Sequence, residues 1–99
     1  MIIDFHTHAF PEAIAQKALQ KLSFVSGGLK YYTDGTLSSL RSAAKREGAD
    51  ISVMLSIATN AHQMKSVNDF AAEADKNSDI IAFGSVYPWA EDAEEELER

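Results

Sequence analysis

The chain has 99 residues, of which 45% are hydrophobic and 24% are charged, and its formal net charge is -6. This length fits a single small domain spanning residues 1–99, and no apolar run approaches the roughly 20 residues that a membrane span requires. The negative charge argues against nucleic acid as a partner, because phosphate binding draws on clustered Lys and Arg. Cysteine is absent, which excludes disulfides and thiolate metal sites. Since the N-terminus also lacks the basic start of a signal peptide, we expect a cytoplasmic protein.

The first half of the chain predicts one strand and two helices. Residues 2–5 read as a strand, and Pro11 suits the first position of a helix whose apolar residues recur at helical spacing. The glycines and tyrosines of residues 23–35 indicate a loop over the mouth of a site. Thr36 can then cap a second helix, which Gly48 would end in the left-handed conformation.

The second half predicts two more strands, each followed by a helix. A nearly continuous apolar run over residues 51–57 is typical of a parallel strand covered on both faces. Asn60 and Gln63 resemble a capping pair at the start of the next helix. Residues 80–86 then predict a third strand, and a further helix begins near Ala93 in a strongly acidic segment that reads as a solvated helix face.

This alternation predicts an α/β fold made of parallel βαβ units with right-handed crossovers. Two architectures remain open from the pattern alone: an open doubly wound sheet, and the first three strands of an eight-fold barrel. In both, ligand-binding groups lie at the carboxyl ends of the strands.

Two histidines at the end of the first strand are the main candidates for chemistry. His6 and His8 are two residues apart, so on a strand they point to the same side, and Asp4 shares their parity. We predict that both imidazoles bind a divalent metal, for which Zn, Mn, Fe and Co are all suitable. Asp4 is expected to support them by orienting a ligand. The alternative is that both histidines merely end the strand and contact solvent or a hydrogen-bond partner.

Other polar and aromatic residues near the predicted site have weaker roles. His62 lies in the first turn of a helix, where added positive charge is unfavourable, so we expect it to be exposed rather than a ligand. Thr7 points away from the histidines and is predicted to pack against the helices. Phe10 and Trp89 lie in loops at the same end and are candidates for the wall of a pocket, with ordinary packing as the alternative.

The segment from residue 2 to residue 11, IIDFHTHAFP, resembles the opening of the amidohydrolase superfamily. It is most similar to the branch of amidohydrolase-related proteins that contains metal-dependent hydrolases and non-oxidative decarboxylases. The resemblance continues through residues 56–60, 67–71 and 83–88. It implies a (β/α)8 TIM barrel with one or two divalent metals, most often zinc, at its carboxyl end.

By this resemblance His6 and His8 are metal ligands, and a metal-activated water attacks a C–N or C–O bond of a small-molecule substrate, or the metal assists a decarboxylation. The family's remaining ligands and its general base come from later strands, so they would lie beyond Arg99. We therefore expect the chain to be the N-terminal portion of such an enzyme and inactive alone. One departure is Tyr87-Pro88, where the family often has His-Pro.

Two alternatives remain. The polymerase-and-histidinol-phosphatase type of metal phosphoesterase also opens with His-x-His on a strand, but residues 59–62 match its second motif only loosely. The second alternative is a non-catalytic module that associates with copies of itself. An incomplete parallel sheet leaves strand edges and apolar faces uncovered, which favours association.

Overall fold

The computed structural model describes all residues, 1–99, and alternates strands with helices. The elements in chain order are β1 (Ile3–Thr7), α1 (Glu12–Val25), α2 (Leu37–Glu47), β2 (Ile51–Leu55), α3 (Ala61–Ala74), β3 (Ile80–Phe83) and α4 (Ala93–Glu98). The strands form one parallel sheet in the order β1-β2-β3. The predicted α/β fold with a parallel sheet is therefore confirmed. None of the helices combines the length and apolar character needed to cross a bilayer.

Local signals in the sequence set several helix ends. The Thr36 hydroxyl accepts the backbone N–H three residues ahead at 3.1 Å, and Asn60 Oδ1 accepts the N–H of Gln63 at 3.0 Å. Gly48 ends α2 with φ 84°, a conformation that costs glycine little. The predicted reciprocal capping pair is only half present, because the Gln63 side chain instead accepts the Thr59 hydroxyl at 2.6 Å.

The strands end where their neighbours end. β2 stops at Leu55 and β3 at Phe83, short of the predicted ends at residues 57 and 86. Beyond these residues neither strand pairs with the other, because the pairing of β2 with β3 ends at Leu55 and Phe83. β1 extends two residues beyond its predicted end, to Thr7. An apolar run marks a buried segment, whereas a strand also needs a neighbour for its backbone groups.

The helices α2 and α3 cover one face of the sheet. The core on this face comprises Met54 and Ile80 from the strands and Ala71 and Ala74 from α3, with Leu40 of α2 packed against it. Only 13 of the 99 residues are buried, which is a small core for a chain of this length.

The opposite face of the sheet is left largely open. The register places Val53 beside Ile81 and Leu55 beside Phe83 on this face, because side chains alternate along each strand. Val53 is buried between its neighbours, but Ile81 is 42% and Phe83 56% exposed. The prediction that β2 is covered on both faces therefore holds for the centre of the strand only. We call this surface the open face.

The acidic C-terminal segment docks on α3 through an ion-pair cluster. Arg99 donates to Asp69 at 2.8 Å and to Glu96 at 2.7 Å, and Asn68 donates to Glu96 at 3.0 Å. The Glu96 side chain is 7% exposed, so this member of the run is not part of a solvated face. Hydrogen bonds from Arg99 are the main cause that lowers the pKa of Asp69 and the pKa of Glu96. A hydrogen bond from Lys65 lowers the pKa of Asp69 further. A hydrogen bond from Asn68 does the same for Glu96.

Truncating the core should destabilise the fold strongly. Met54 is 0% exposed, so Met54→Ala is expected to lower the free energy of unfolding by about 2–5 kcal/mol, through lost burial and a cavity. The control Tyr32→Ala removes a side chain that is 90% exposed and is expected to change stability by less than about 0.5 kcal/mol. Urea unfolding followed by circular dichroism would measure both. Equal effects of the two substitutions would contradict this core.

Removing the Arg99 side chain should raise the pKa of both carboxyl groups that it pairs. In Arg99→Ala, Asp69 and Glu96 are expected to titrate nearer their ordinary values, as followed by carboxyl 13C NMR. Because folding lowers their pKa, the cluster stabilises the protein above the ordinary carboxyl pKa and loses this effect as pH falls through the folded-state pKa. The control Arg46→Ala breaks only the exposed pair with Glu47 and should leave both titrations unchanged.

Candidate metal centre

A β-bulge in β1 determines which side chains reach the predicted site. Asp4 pairs with Ser52 and Thr7 pairs with Met54. The pairs are three residues apart on β1 but two apart on β2, so Phe5 and His6 together lie opposite one residue of β2. Thr7 is thereby placed on the helix-covered face, and His6, which precedes it, points to the open face.

The two predicted metal ligands lie next to one another. His6 Nε2 and His8 Nε2 are 3.0 Å apart, and the two rings meet edge to face with their centroids 4.9 Å apart. Both residues are exposed at the carboxyl end of an edge strand. The structure therefore presents two imidazole nitrogens side by side to solvent.

A backbone carbonyl fixes the orientation and tautomer of one imidazole. His8 Nδ1 lies 2.9 Å from the carbonyl oxygen of Leu55 at the end of β2. A carbonyl can only accept, so Nδ1 carries the proton and Nε2 of His8 keeps a free lone pair. Histidines that bind metals are typically held in this way by a hydrogen bond from the other ring nitrogen. In the metal-free pair, His6 Nε2 then donates to His8 Nε2.

The separation of the nitrogens fits two ligands of one cation. At metal–nitrogen distances of about 2.0–2.1 Å, neighbouring ligands lie about 2.8–3.4 Å apart in octahedral or tetrahedral coordination, and the observed 3.0 Å falls in this range. The residues present are an incomplete set, however. Nowhere in the chain do three or more His, Cys, Asp or Glu side chains lie together so that they could hold a metal ion.

Asp4 does not continue the line of the two histidines. The sequence pattern predicts one face for all three residues, but the bulge shifts the parity between Asp4 and Thr7. Asp4 Oδ1 instead accepts the backbone N–H of His6 at 3.3 Å. This contact supports the backbone that carries His6, and a role of Asp4 in orienting a ligand stays a prediction.

No side-chain hydrogen bond or ring contact joins Thr7, His62 or Trp89 to the histidine pair. Thr7 is buried and donates from its hydroxyl to the carbonyl of Val53 at 2.8 Å, in agreement with the predicted packing role. His62 is exposed in the first turn of α3. Trp89 is 82% exposed and contacts Tyr87, with ring centroids 5.8 Å apart. Its place in a pocket wall stays a prediction.

Two grooves lie outside the histidine pair, and Phe10 lines both. An apolar groove of about 460 Å³ runs between α1 and α3. A more polar and open one of about 790 Å³ reaches the N-terminal ends of β2 and β3. Neither includes His6 or His8 among its lining residues. Phe10 thus contributes to a pocket wall, but of grooves beside the histidine pair.

Two features of this end of the sheet were not predicted from the sequence. One is the Leu55 carbonyl, which gives no signal in the sequence because any residue could supply it. The other is Ser56, which lines the apolar groove and whose buried hydroxyl has no hydrogen-bond partner. Its signal was available, since Ser56 is one of only two polar residues in the apolar run over residues 51–57.

Comparison of the chain with protein-family models, with curated proteins and with solved structures finds no match. The assignment of a function therefore depends on the geometry of the site and on the resemblance of its motif.

The tautomers of the histidines can be measured directly. At about pH 8.5, where free imidazole is neutral, His8 is expected to carry its proton on Nδ1, because that nitrogen donates to Leu55. The exposed His62 should favour Nε2–H, as free histidine does. Long-range 1H–15N NMR spectra distinguish the two forms, and an Nε2-protonated His8 would contradict a hydrogen bond from Nδ1 to Leu55.

Proposed function

We propose that His6 and His8 are the first two ligands of a divalent metal site in an amidohydrolase-like, metal-dependent enzyme. The observation that carries this proposal is the 3.0 Å separation of the two Nε2 atoms, together with the Leu55 carbonyl that holds His8 with its lone pair toward His6. The proposed metal is zinc, with Mn, Fe or Co as the other ions that imidazole suits.

The proposed barrel agrees with the arrangement of the sheet. Successive strands are neighbours in the order β1-β2-β3, and α2 and α3 pack on one face, as in the first part of a (β/α)8 barrel. The open face, toward which His6 points, would then be the inner face of that barrel. One half of a doubly wound sheet has the same strand order and also places ligand groups at the carboxyl ends of its strands, so it is the resemblance of the His-x-His motif that favours the barrel.

The chain's own residues would supply binding and orientation. His6 and His8 hold the ion, and the Leu55 carbonyl and the Asp4 carboxylate position the ring of one and the backbone of the other. A bound divalent ion lowers the pKa of its water and polarises the group under attack. In this proposal the general base and the remaining ligands belong to later strands, and they decide between hydrolysis and decarboxylation.

Metal binding tests the proposal. The chelator-treated chain is expected to bind Zn2+ in isothermal titration calorimetry. We expect His6→Ala and His8→Ala each to weaken binding by at least about ten-fold, the lower end of the loss caused by removing even a supporting residue of a metal site. His62→Ala is the matched control, since it removes an exposed histidine elsewhere and should leave binding unchanged.

The outcomes are distinct. Zinc affinity that is unchanged in both His6→Ala and His8→Ala would overturn the proposed site. A loss of affinity in His62→Ala equal to that in the site variants would overturn it too. In the full-length enzyme that the proposal implies, metal-dependent turnover should be lost in both site variants and retained in His62→Ala.

A further inference from the structure

Helix α1 has an apolar stripe that remains largely exposed. Ile14, Leu22 and Val25 lie on this stripe and are 37%, 43% and 74% exposed, and Ala15 is the only buried residue of the helix. The stripe forms one wall of the apolar groove of about 460 Å³, a volume within the usual range for small-molecule sites. Covering such a wall releases water, so the groove favours a ligand with an apolar body.

The opposite wall of the groove belongs to the helix-covered side of the sheet. Val67 and Phe70 of α3 line it, together with Ala9 and Ile57 from the segments that follow β1 and β2. Ala9 is part of the core between the sheet and the helices, and Phe70 packs against that core. The later strands of the proposed barrel would cover the open face, which is the other face of the sheet. The groove and the proposed metal site therefore do not compete for the same surface.

Two lysines are the only charged residues that line the groove. Lys17 and Lys21 are four residues apart on α1, so their side chains are neighbours on the helix surface. Neither takes part in any of the six salt bridges of the chain. Like charges at this spacing repel one another weakly. An anion beside them would offset this repulsion and give both ammonium groups a partner.

The charge around the groove is opposite to that of the chain as a whole. The formal net charge is -6, yet residues 13–33 contain Lys17, Lys21 and Lys30 and no Asp or Glu. A local excess of one sign attracts ions of the opposite sign, so this segment attracts anions that the rest of the surface repels. The groove is thus complementary to a molecule that combines an apolar body with an anionic group.

We propose that the groove binds a single-chain amphipathic carboxylate of the fatty-acid type, with its acyl chain against the apolar stripe and its carboxylate beside Lys17 and Lys21. From Ile14 to Val25 the stripe extends about 16 Å, at 1.5 Å per residue, so it suits an extended chain better than a compact ring. Both ammonium groups can donate to the carboxylate oxygens. This ligand site is independent of the metal site and goes beyond the proposed function.

Calorimetric titration with dodecanoate, kept below its micelle-forming concentration, tests the inference. The chain is expected to bind one dodecanoate. Lys17→Gln combined with Lys21→Gln should weaken binding by about ten-fold or more, because two charge-assisted contacts are lost. Lys17→Arg combined with Lys21→Arg keeps both charges and should retain binding. Lys45→Gln is the matched control, since it removes an exposed lysine that lines the other groove, and it should leave binding unchanged.

Two further ligands separate the role of the charge from that of the chain. Dodecyltrimethylammonium has the same chain with a positive head group, and acetate has the carboxylate without the chain. Both should bind much more weakly than dodecanoate. In 1H–15N NMR spectra, dodecanoate should shift the amide signals of α1 and α3, including those of Ala18 and Val67, which line the groove.

Several results would reject the ligand site. Unchanged dodecanoate affinity in the double Gln variant, or equal affinity for the cationic amphiphile, would show that the lysines do not select the ligand. Binding only to vesicles that contain phosphatidylglycerol, or no binding at all, would exclude a free carboxylate as the occupant. Shifts confined to the open face would place the ligand elsewhere. Because His6→Ala and His8→Ala should affect zinc binding but not dodecanoate binding, either proposal can fail without the other.

Discussion

Two consecutive side chains at the end of β1, those of Thr7 and of His8 just beyond it, are hydrogen-bonded to carbonyl groups of β2. The Thr7 hydroxyl donates to Val53 at 2.8 Å and the His8 ring to Leu55 at 2.9 Å. At a bulge the regular backbone ladder is interrupted, and here these two bonds fix the end of the edge strand to the central strand. The placement of the histidine pair depends on them, because a free strand end would let the rings separate.

The bulge changes which side chains of the Asp-x-His-x-His motif share a face of the sheet. In a regular strand, Asp4, His6 and His8 would share one face, and the carboxylate would be available as a third ligand of the same ion. With an extra residue in β1, Asp4 pairs with Ser52 and reaches the backbone of His6 instead. The proposed metal-binding surface thus contains two imidazoles and no carboxylate, a nitrogen-only set that would suit zinc and similar ions better than magnesium or calcium.

Local features of the fold were predictable because their causes are local. Thr36, Gly48 and Asn60 each act within a few residues of their own position, and the structure shows the expected caps and turn. The pairing of His6 with His8 also follows from spacing. The bulge could not be predicted, because register depends on a strand more than forty residues away, and the same is true of the hydrogen bond from His8 to Leu55. The predicted ends of β2 and β3 were wrong for a related reason. An apolar run indicates burial, not backbone pairing.

The strand that contributes most to the stability of this domain, β2, is not the strand that carries the candidate metal ligands. β2 is the only strand paired on both sides, and it contributes the fully buried Met54, so opening it requires the whole sheet to come apart. His6 and His8 lie on the edge, where local fraying costs less than global unfolding. Ions that bind this edge would therefore slow hydrogen exchange chiefly in β1, and the histidines could be replaced during evolution without loss of the fold.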